Sequence, residues 1–458
     1  MSAHSSTLSR RQFLRLAGVA AAGAALTACG VRPSPSKATQ SGEVQLVYSD
    51  WRTEWFPPMA QEMLTKFNQQ HPNIHVFYTP DPDNLADQMA ADMAAGTAPD
   101  VVDGCCDFFP AWANAGHLLD LRPYVEADLD KATIADWSQA QYKALFTPDG
   151  KQFGLPKYHG ALALYYNKDL FDSAKVDYPT DSWTHDDYLE AMKKLTVRTG
   201  DVITQWGSMF DVSWERIQMH VNGWGGHYVD PQNPKKCVMA APPALAGMQW
   251  LRDRMWEDRV MASFQDVQNV ETRQAFIDEK IAMVEDGSWA LKDILDGALF
   301  RVGVAPFPTG PQRHVTLAST DGFAIFAGTK NPDAAWELLK FLVSKDYGMA
   351  MAKAHFLQPA RASLVQYWVD AIRQEYPQKA REVDLAAFAD GQIKGYSVTA
   401  EIFPNMVGAS DLAKKTWDQI YSLGQAPVSD MAGVCQQIEA IQNKTGQSVV
   451  PCGCKVNS

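Results

Sequence analysis

The sequence lacks several features that mark common classes of protein. Its only long uncharged apolar run lies near the N-terminus, which argues against a polytopic membrane protein. It has no sustained run of Lys or Arg and its formal net charge is −12, so it lacks the positive surface that a nucleic-acid-binding protein needs. It also shows no internal repeat, which disfavours a repetitive structural adhesin.

The signatures of several enzyme classes are missing as well. The chain has no GxSxG, HExxH, P-loop or GxGxxG motif, and its 10 His residues are scattered without the spacing of a metal site. We therefore expect no cofactor, no bound metal and no enzymatic activity. Carboxylates are plentiful, so a surface glycoside hydrolase that uses two of them stays open as an alternative.

Aromatic residues, in contrast, are abundant. The 458 residues include 14 Trp, 15 Tyr and 20 Phe, and 46% of the chain is hydrophobic. A chain of this length and composition can bury a sizeable core. The number of aromatics exceeds what a core needs, which suggests that some of them form flat binding surfaces.

The first 28 residues have the features of an export signal. Arg10 and Arg11 are adjacent and precede an uncharged apolar run at residues 16–28, an arrangement that resembles a twin-arginine (Tat) signal. This run is too short to cross a membrane as a helix, which takes about 20 residues. We expect residues 1–28 to be removed.

The apolar run ends in the sequence LTACG, which resembles the lipobox of bacterial lipoproteins and predicts lipidation at Cys29. Residues 29–43 would then be the lipidated cysteine and a tether, because residues 31–42 are rich in Ser, Pro, Thr and Gln. The predicted location is the outer face of the cytoplasmic membrane. A plain secretory signal with an incidental cysteine is the alternative.

An exported chain enters an oxidising compartment, so the other six cysteines can pair. Cys452 and Cys454 lie near Cys435 in the sequence and predict that the C-terminal tail, residues 451–458, is stapled back by a disulfide. Cys105 and Cys106 allow a vicinal bridge, two separate bridges or two thiols. The six residues permit 15 connectivities; they are Cys105, Cys106, Cys237, Cys435, Cys452 and Cys454.

Strands and helices alternate at the start of the mature chain. Alternating or periodic apolar residues predict strands at 44–48, 74–78 and 100–103 and helices at 57–70 and 84–95. This order is typical of a parallel α/β sheet, in which ligands bind beyond the carboxyl ends of the strands. The loops that follow the three strands carry acidic and aromatic residues.

Several motifs then occur in an order that resembles the family 1 extracellular solute-binding proteins of bacterial ABC importers. The resemblance covers roughly residues 44–425. Each motif is weak alone, but together and in this order they are specific; they are FGLP at 153–156, LYYNKDLF at 164–171, GSW at 287–289 and KNPDAAWELLKFL at 330–342.

This resemblance implies an α/β, two-lobed periplasmic-binding-protein-like fold with interleaved lobes and a multi-strand hinge. Lobe one would comprise residues 44–155 and 315–362, and lobe two residues 156–314 and 363–450. A monomeric protein would hold a mono- to oligosaccharide between the lobes and deliver it to the permease of an ABC importer. A glycerophosphodiester or a polyol stays open as the ligand.

Sugar recognition requires aromatic faces and polar groups that hydrogen-bond hydroxyls. The candidates lie in the loops that follow the three predicted strands, at the predicted hinge, in the glycine-rich segment at 222–227 and at positions that match the family. Tyr158 and His159 can equally be hinge packing, and Arg361 can simply tie a loop. The candidates are Trp51, Arg52, Asp81, Asp107, Tyr158, His159, Trp224, Gly225, Trp289, Asp321, Phe356 and Arg361.

Overall fold

The computed structural model describes residues 42–50, 55–80, 85–105, 108–319 and 321–444. The chain from Val44 onward forms one compact unit. The described part contains no helix that is both long and apolar enough to cross a membrane. Cys29, and with it the predicted signal and tether, lies outside the described residues, apart from Gly42 and Glu43 at the end of the tether.

The strands are short and belong mostly to two sheets. In chain order they are β1 (Val44–Asp50), β2 (Ile74–Pro80), β3 (Val101–Gly104), β4 (Leu155–Pro156), β5 (Leu162–Asn167), β6 (Val197–Thr199), β7 (Val202–Met209), β8 (Val229–Asp230), β9 (Asn233–Cys237), β10 (Met261–Ala262), β11 (Ile281–Gly287), β12 (Val302–Ala305), β13 (Thr316–Leu317), β14 (Gly322–Ile325) and β15 (Ser397–Val398).

The helices cover both sheets. In chain order they are α1 (Phe56–Gln70), α2 (Leu85–Ala95), α3 (Phe108–Asn114), α4 (Arg122–Asp128), α5 (Lys131–Ala135), α6 (Gln139–Ala144), α7 (Lys168–Ala174), α8 (His185–Leu195), α9 (Trp214–Gly223), α10 (Pro242–Trp256), α11 (Thr272–Ile277), α12 (Leu291–Gly297), α13 (Pro332–Leu342), α14 (Lys345–His355), α15 (Val365–Glu375), α16 (Ala387–Lys394), α17 (Met406–Trp417) and α18 (Met431–Lys444).

The local sequence explains where several helices begin. Asn167 accepts a hydrogen bond from the Leu170 amide and so caps α7, as its place at the end of a strand predicts. Pro332 occupies the first turn of α13, where its missing N–H costs nothing. Trp336 lies on the apolar face of that helix and is buried.

The first sheet has the strand order β2-β1-β3-β14-β4. Strands β1, β2 and β3 are parallel, whereas β14 runs antiparallel to both β3 and β4. The carboxyl ends of β1, β2, β3 and β4 therefore share one edge of this sheet, and β14 starts there.

The second sheet has the order β10-β7-β11-β5-β12, with β6 as an additional partner of β7. Strands β7, β10 and β11 are parallel, and β5 runs antiparallel to both β11 and β12. The carboxyl ends of β7, β10, β11 and β12 therefore lie at the edge where β5 begins. Separate hydrophobic cores surround the two sheets.

Four extended segments lie side by side between the sheets, and we call them the ribbon. The segment at 157–161 links β4 to β5 and pairs with Pro359 through Tyr158 and with Ala318 through Ala161. Strand β13 in turn pairs with β15. The ribbon thus consists of residues 157–161, 316–319, 358–359 and 397–398, and the chain passes between the two sheets through it.

The disulfide in the described residues corrects one prediction. Cys237 at the end of β9 is bonded to Cys435 in α18, with their Cα atoms 5.1 Å apart. Cys435 is therefore already paired, and the predicted staple from the C-terminal tail to this residue is wrong. Cys105 is buried; Cys106, Cys452 and Cys454 lie outside the described residues.

Candidate functional site

The two sheets present their carboxyl ends to the ribbon from opposite sides. Pro156 ends β4 in the first sheet, and the chain needs only residues 157–161 to reach Leu162, where β5 of the second sheet begins. The edge where β5 begins also holds the carboxyl ends of β7 and β11. Since α/β sheets bind ligands at this edge, the space beside the ribbon is the candidate cleft.

Four of the candidates from the sequence lie outside the described residues. Trp51 and Arg52 follow β1, Asp81 follows β2, and Asp107 lies just before α3. The ends of these strands are described, and they do lie at the same edge of the first sheet. Ligand contact by the four side chains stays a prediction.

A buried ion cluster lies at this edge of the first sheet. The Lys157 ammonium donates to Asp50 Oδ2 at 2.6 Å and to Asp103 Oδ2 at 2.5 Å, and all three side chains are buried. Burial and the nearby Asp50 carboxylate raise the pKa of Asp103 well above its usual range, although Lys157 lowers it. Among the described residues, neither Asp103 Oδ1 nor Asp321 Oδ1 has a hydrogen-bond partner.

Five alternating charges line the facing edge of the second sheet, and we call them the charge ladder. Asp286, near the end of β11, is 5% exposed and lies between Arg273, at 2.9 Å, and Arg216, at 3.5 Å. Arg216 also contacts Asp211 at 2.7 Å, and Arg273 contacts Asp293 at 2.6 Å. The outer carboxylates, Asp211 and Asp293, are 46% and 41% exposed, so the ladder presents acceptors to solvent.

Trp289 follows β11 directly and is half-buried. Its indole lies against two glycines, since a Cβ atom placed on Gly287 or Gly160 would come within 2.2 and 2.9 Å of the ring. The preceding residue, Ser288, donates hydrogen bonds from its amide to Ala161 and from its hydroxyl to the carbonyl of His159. Trp289 is therefore fixed at the ribbon.

Tyr158, His159 and Asp321 also lie at the ribbon, but their side chains are buried. The imidazole of His159 contacts Gln141 Oε1 through Nδ1 at 3.1 Å, and burial lowers its pKa to about 4. The ring has no exposed surface. The structure supports hinge packing, the alternative function of His159.

Trp224 and Gly225 lie at the end of α9 rather than in an independent loop. Trp224 packs edge-on against His185 and lies 5.6 Å from Trp250, and none of the described ring contacts joins it to Trp289. Gly225 is exposed and has a left-handed φ of 76°, which suits the turn that ends a helix. The structure does not bring this pair together with the ladder.

Phe356 and Arg361 are occupied inside the fold. Phe356 is buried in the core of the second sheet and packs against Tyr376. The Arg361 guanidinium donates twice to the Val343 carbonyl and lies 4.8 Å above the Trp137 ring. Arg361 thus ties its loop, the alternative stated above, and we leave both residues out of the proposed site.

Sequence reasoning missed the charge ladder. Asp286 follows an apolar stretch at 281–284 that is typical of a strand, and strand β11 continues beyond this stretch to Gly287. Arg216 and Arg273 carried no such signal, since each reaches the site from the first turns of a helix whose position in space depends on the whole sheet.

The fold and the site together define a class, namely two α/β lobes with a cleft beside a multi-segment ribbon. Two solved structures are similar to this chain. An ABC substrate-binding protein from Listeria monocytogenes in complex with cycloalternan has a TM-score of 0.75 and 23% identity, and the match covers 88% of this chain and 99% of that chain. UgpB from Mycobacterium tuberculosis in complex with glycerophosphocholine has a TM-score of 0.70 and 18% identity, and the match covers 89% of this chain and 100% of that chain. The predicted two-lobed α/β fold class is confirmed.

Sequence comparison gives the family. The family described as bacterial extracellular solute-binding protein matches residues 50–349, and the chain belongs to it. The maltodextrin-binding protein of Bacillus subtilis (strain 168) is 24% identical over 330 residues, which cover 69% of this chain and 72% of that protein. The resemblance deduced from the motifs is therefore confirmed, while the lobe boundaries stay a prediction.

Proposed function

We propose that this protein is the substrate-binding component of an ABC importer and that it captures a carbohydrate, from a mono- to an oligosaccharide, in the cleft between its lobes. The observation that carries the proposal is the charge ladder beside Trp289 at the ribbon. The names of similar proteins support it, since they refer to maltodextrin and cycloalternan.

The chemistry of the site fits a sugar. The exposed oxygens of Asp211 and Asp293 can accept hydrogen bonds from hydroxyl groups, and the buried Asp286 and the two arginines hold them in place. The free part of the Trp289 ring offers a flat apolar surface to the C–H face of a pyranose. A ligand that contacts both lobes favours the closed state, and the permease would recognise that state.

A glycerophosphodiester is the second candidate, because UgpB was solved with glycerophosphocholine. The ladder disfavours a phosphate, since both arginines already contact carboxylates. The three acids of the ladder outnumber its two arginines, which leaves no excess positive charge for an anion. A polyol is compatible with the ladder but gives Trp289 less surface to contact.

We further propose that the protein has no catalytic activity and that it works as an exported monomer. The family supports a binding role, because its members are solute-binding proteins. The Tat-type signal would direct export, and the lipidated Cys29 would then hold the protein on the outer face of the cytoplasmic membrane, beside the permease. The Cys237–Cys435 disulfide supports export, because such bonds persist in oxidising compartments.

A calorimetric titration tests the proposal. The purified protein is titrated with maltodextrins, other oligosaccharides, polyols and glycerophosphocholine, and the same mixtures are checked for hydrolysis products. We expect stoichiometric binding of a saccharide without turnover. Asp211→Asn and Asp293→Asn should each weaken binding about tenfold or more, since a hydrogen bond to a charged group contributes about 1.5–3 kcal/mol.

Asp430→Asn is the matched control, because Asp430 is exposed and lies in a short 3-10 helix that contains none of the ladder residues. It should bind like the wild type. Hydrolysis of the glycan would support the glycoside hydrolase alternative, and tight binding of glycerophosphocholine alone would support the second candidate. If a saccharide binds and both ladder variants keep full affinity, the site is misplaced.

A further inference from the structure

The slot that holds Trp289 has walls from two different parts of the molecule. Gly287 belongs to β11 in the second sheet, whereas Gly160 belongs to the ribbon. A Cβ atom on Gly160 would lie 2.9 Å from Trp289 Cζ3 and 2.7 Å from Ser319 Oγ. Contacts this short do not occur at a real Cβ atom, so only glycine fits at this position without a shift of the ring or of Ser319.

Hydrogen bonds fix both walls of the slot to the ribbon. The Ser319 amide donates to the Gly160 carbonyl at 2.6 Å, and the Ser288 amide donates to the Ala161 carbonyl at 3.1 Å. The Ser288 hydroxyl donates to the His159 carbonyl, also at 3.1 Å. The backbone on either side of the indole is therefore part of the structure that must change when the lobes move.

We propose that Gly160 is a positioning residue that couples Trp289 to the ribbon, so that the angle between the lobes sets the position of the indole face. This inference rests on the proposed function and adds the residue through which ligand contact reaches the hinge. Gly160 does not touch the ligand; it acts through the ring of Trp289.

The coupling would arise from differential affinity of the ligand for the conformations of the slot. A ligand shifts a conformational equilibrium only as far as it binds one state better than the other. Trp289 packs against the cores of both sheets and against the small apolar cluster around Leu162 and Phe307. A sugar stacked on the exposed part of the ring therefore binds best when the slot, and with it the ribbon, has one particular geometry.

A double-mutant cycle tests the coupling. Saccharide affinity is measured for the wild type, Gly160→Ala, Trp289→Ala and the double variant, with Gly433→Ala as the control because a Cβ atom there meets open space. We expect Gly160→Ala to weaken binding about tenfold in the wild type and less than twofold in the Trp289→Ala background, since residues in contact are not additive. Gly433→Ala should change nothing.

Small-angle scattering on the same proteins provides a second readout. The wild type should become more compact with saturating saccharide, and Gly160→Ala should show less compaction even when it is saturated. If Gly160→Ala does not fold, the variant Gly160→Ala/Ser319→Gly removes the 2.7 Å contact with Ser319 and keeps the contact with Trp289. It should show the same loss of affinity.

Two outcomes would overturn the coupling while the proposed function stands. One is a wild-type protein that binds saccharide and a Gly160→Ala variant with unchanged affinity and compaction. The other is additive loss in the double variant, because Gly160 would then act independently of Trp289. A wild type that binds no saccharide at all contradicts the proposed function itself and removes the basis of the coupling.

Discussion

At the residue scale, a side chain is buried either by the pattern of its own helix or strand or by partners from distant parts of the chain. Trp336 is buried because it lies on the apolar face of a periodic helix. Lys157 could not be placed in this way, because its partners Asp50 and Asp103 come from β1 and β3, far away in the sequence. Such distant partners are not visible in the local sequence, so for His159 and Arg361 both ligand contact and internal packing stayed open.

Lys157 should be important for stability. Replacing it in Lys157→Met leaves the buried carboxylates of Asp50 and Asp103 without their cation, and we expect the free energy of unfolding to fall by about 3–5 kcal/mol. Urea denaturation measures this change. The loss should shrink as the pH is lowered, because the raised pKa of Asp103 allows protonation to remove the uncompensated charge.

Lys66→Met is the matched control. Lys66 forms an ion pair with Glu62 in α1, but both side chains are largely exposed. Exposed pairs of this kind contribute less than about 1 kcal/mol. Equal stability losses in the two lysine variants would show that the buried cluster contributes no more than a surface pair.

At the scale of elements, a clear period of apolar residues was sufficient to predict a strand or a helix. The predicted strands at 44–48 and 74–78 and the helix at 57–70 are present with ends that differ by at most two residues. Strand β7 and helix α9, in contrast, are not among the elements predicted from the sequence. Helix α9 buries Gln218, His220 and Asn222 together with its apolar residues, so burial does not separate its polar residues from its apolar ones.

The polar turn after α9 depends on a partner from much later in the chain. Glu401 accepts hydrogen bonds from the amides of Tyr228 and Val229 and contacts His227 Nδ1 at 2.7 Å. Burial alone would raise the pKa of Glu401, but these bonds lower it overall. The bond to Glu401 raises the pKa of His227, against the effect of its partial burial.

This pair should make stability depend on pH. The raised pKa of His227 contributes stability that is complete below its usual value of about 6.5 and is lost as the pH rises through the folded value. His227→Gln should therefore destabilise the protein by up to about 1 kcal/mol at pH 5.5 and by less at pH 9. In a Glu401→Gln background the same substitution should lose this pH dependence; if the dependence persists there, Glu401 is not its cause.

At the scale of the whole molecule, the order of motifs in the sequence was enough to predict the family and the two-lobed fold, which the comparisons confirm. The facing edges of the two sheets follow from strand directions that no local pattern records. The charge ladder exists only because α9, α11, β11 and α12 meet at one edge. For this reason the sequence predicted a cleft that binds a sugar, whereas the charge ladder was identified only in the structure.

A substitution of Cys29 tests whether the protein is attached to the membrane by a lipid. Cells that express the protein are fractionated into membrane and soluble parts, and the wild type should be found with the membranes. Cys29→Ser removes the predicted lipid attachment and should therefore release the protein from the membrane fraction. The Cys237–Cys435 disulfide should form in both proteins, which a thiol-labelling gel checks. A Cys29→Ser protein that stays with the membranes would contradict lipidation at this residue, and a reduced disulfide in the wild type would contradict export.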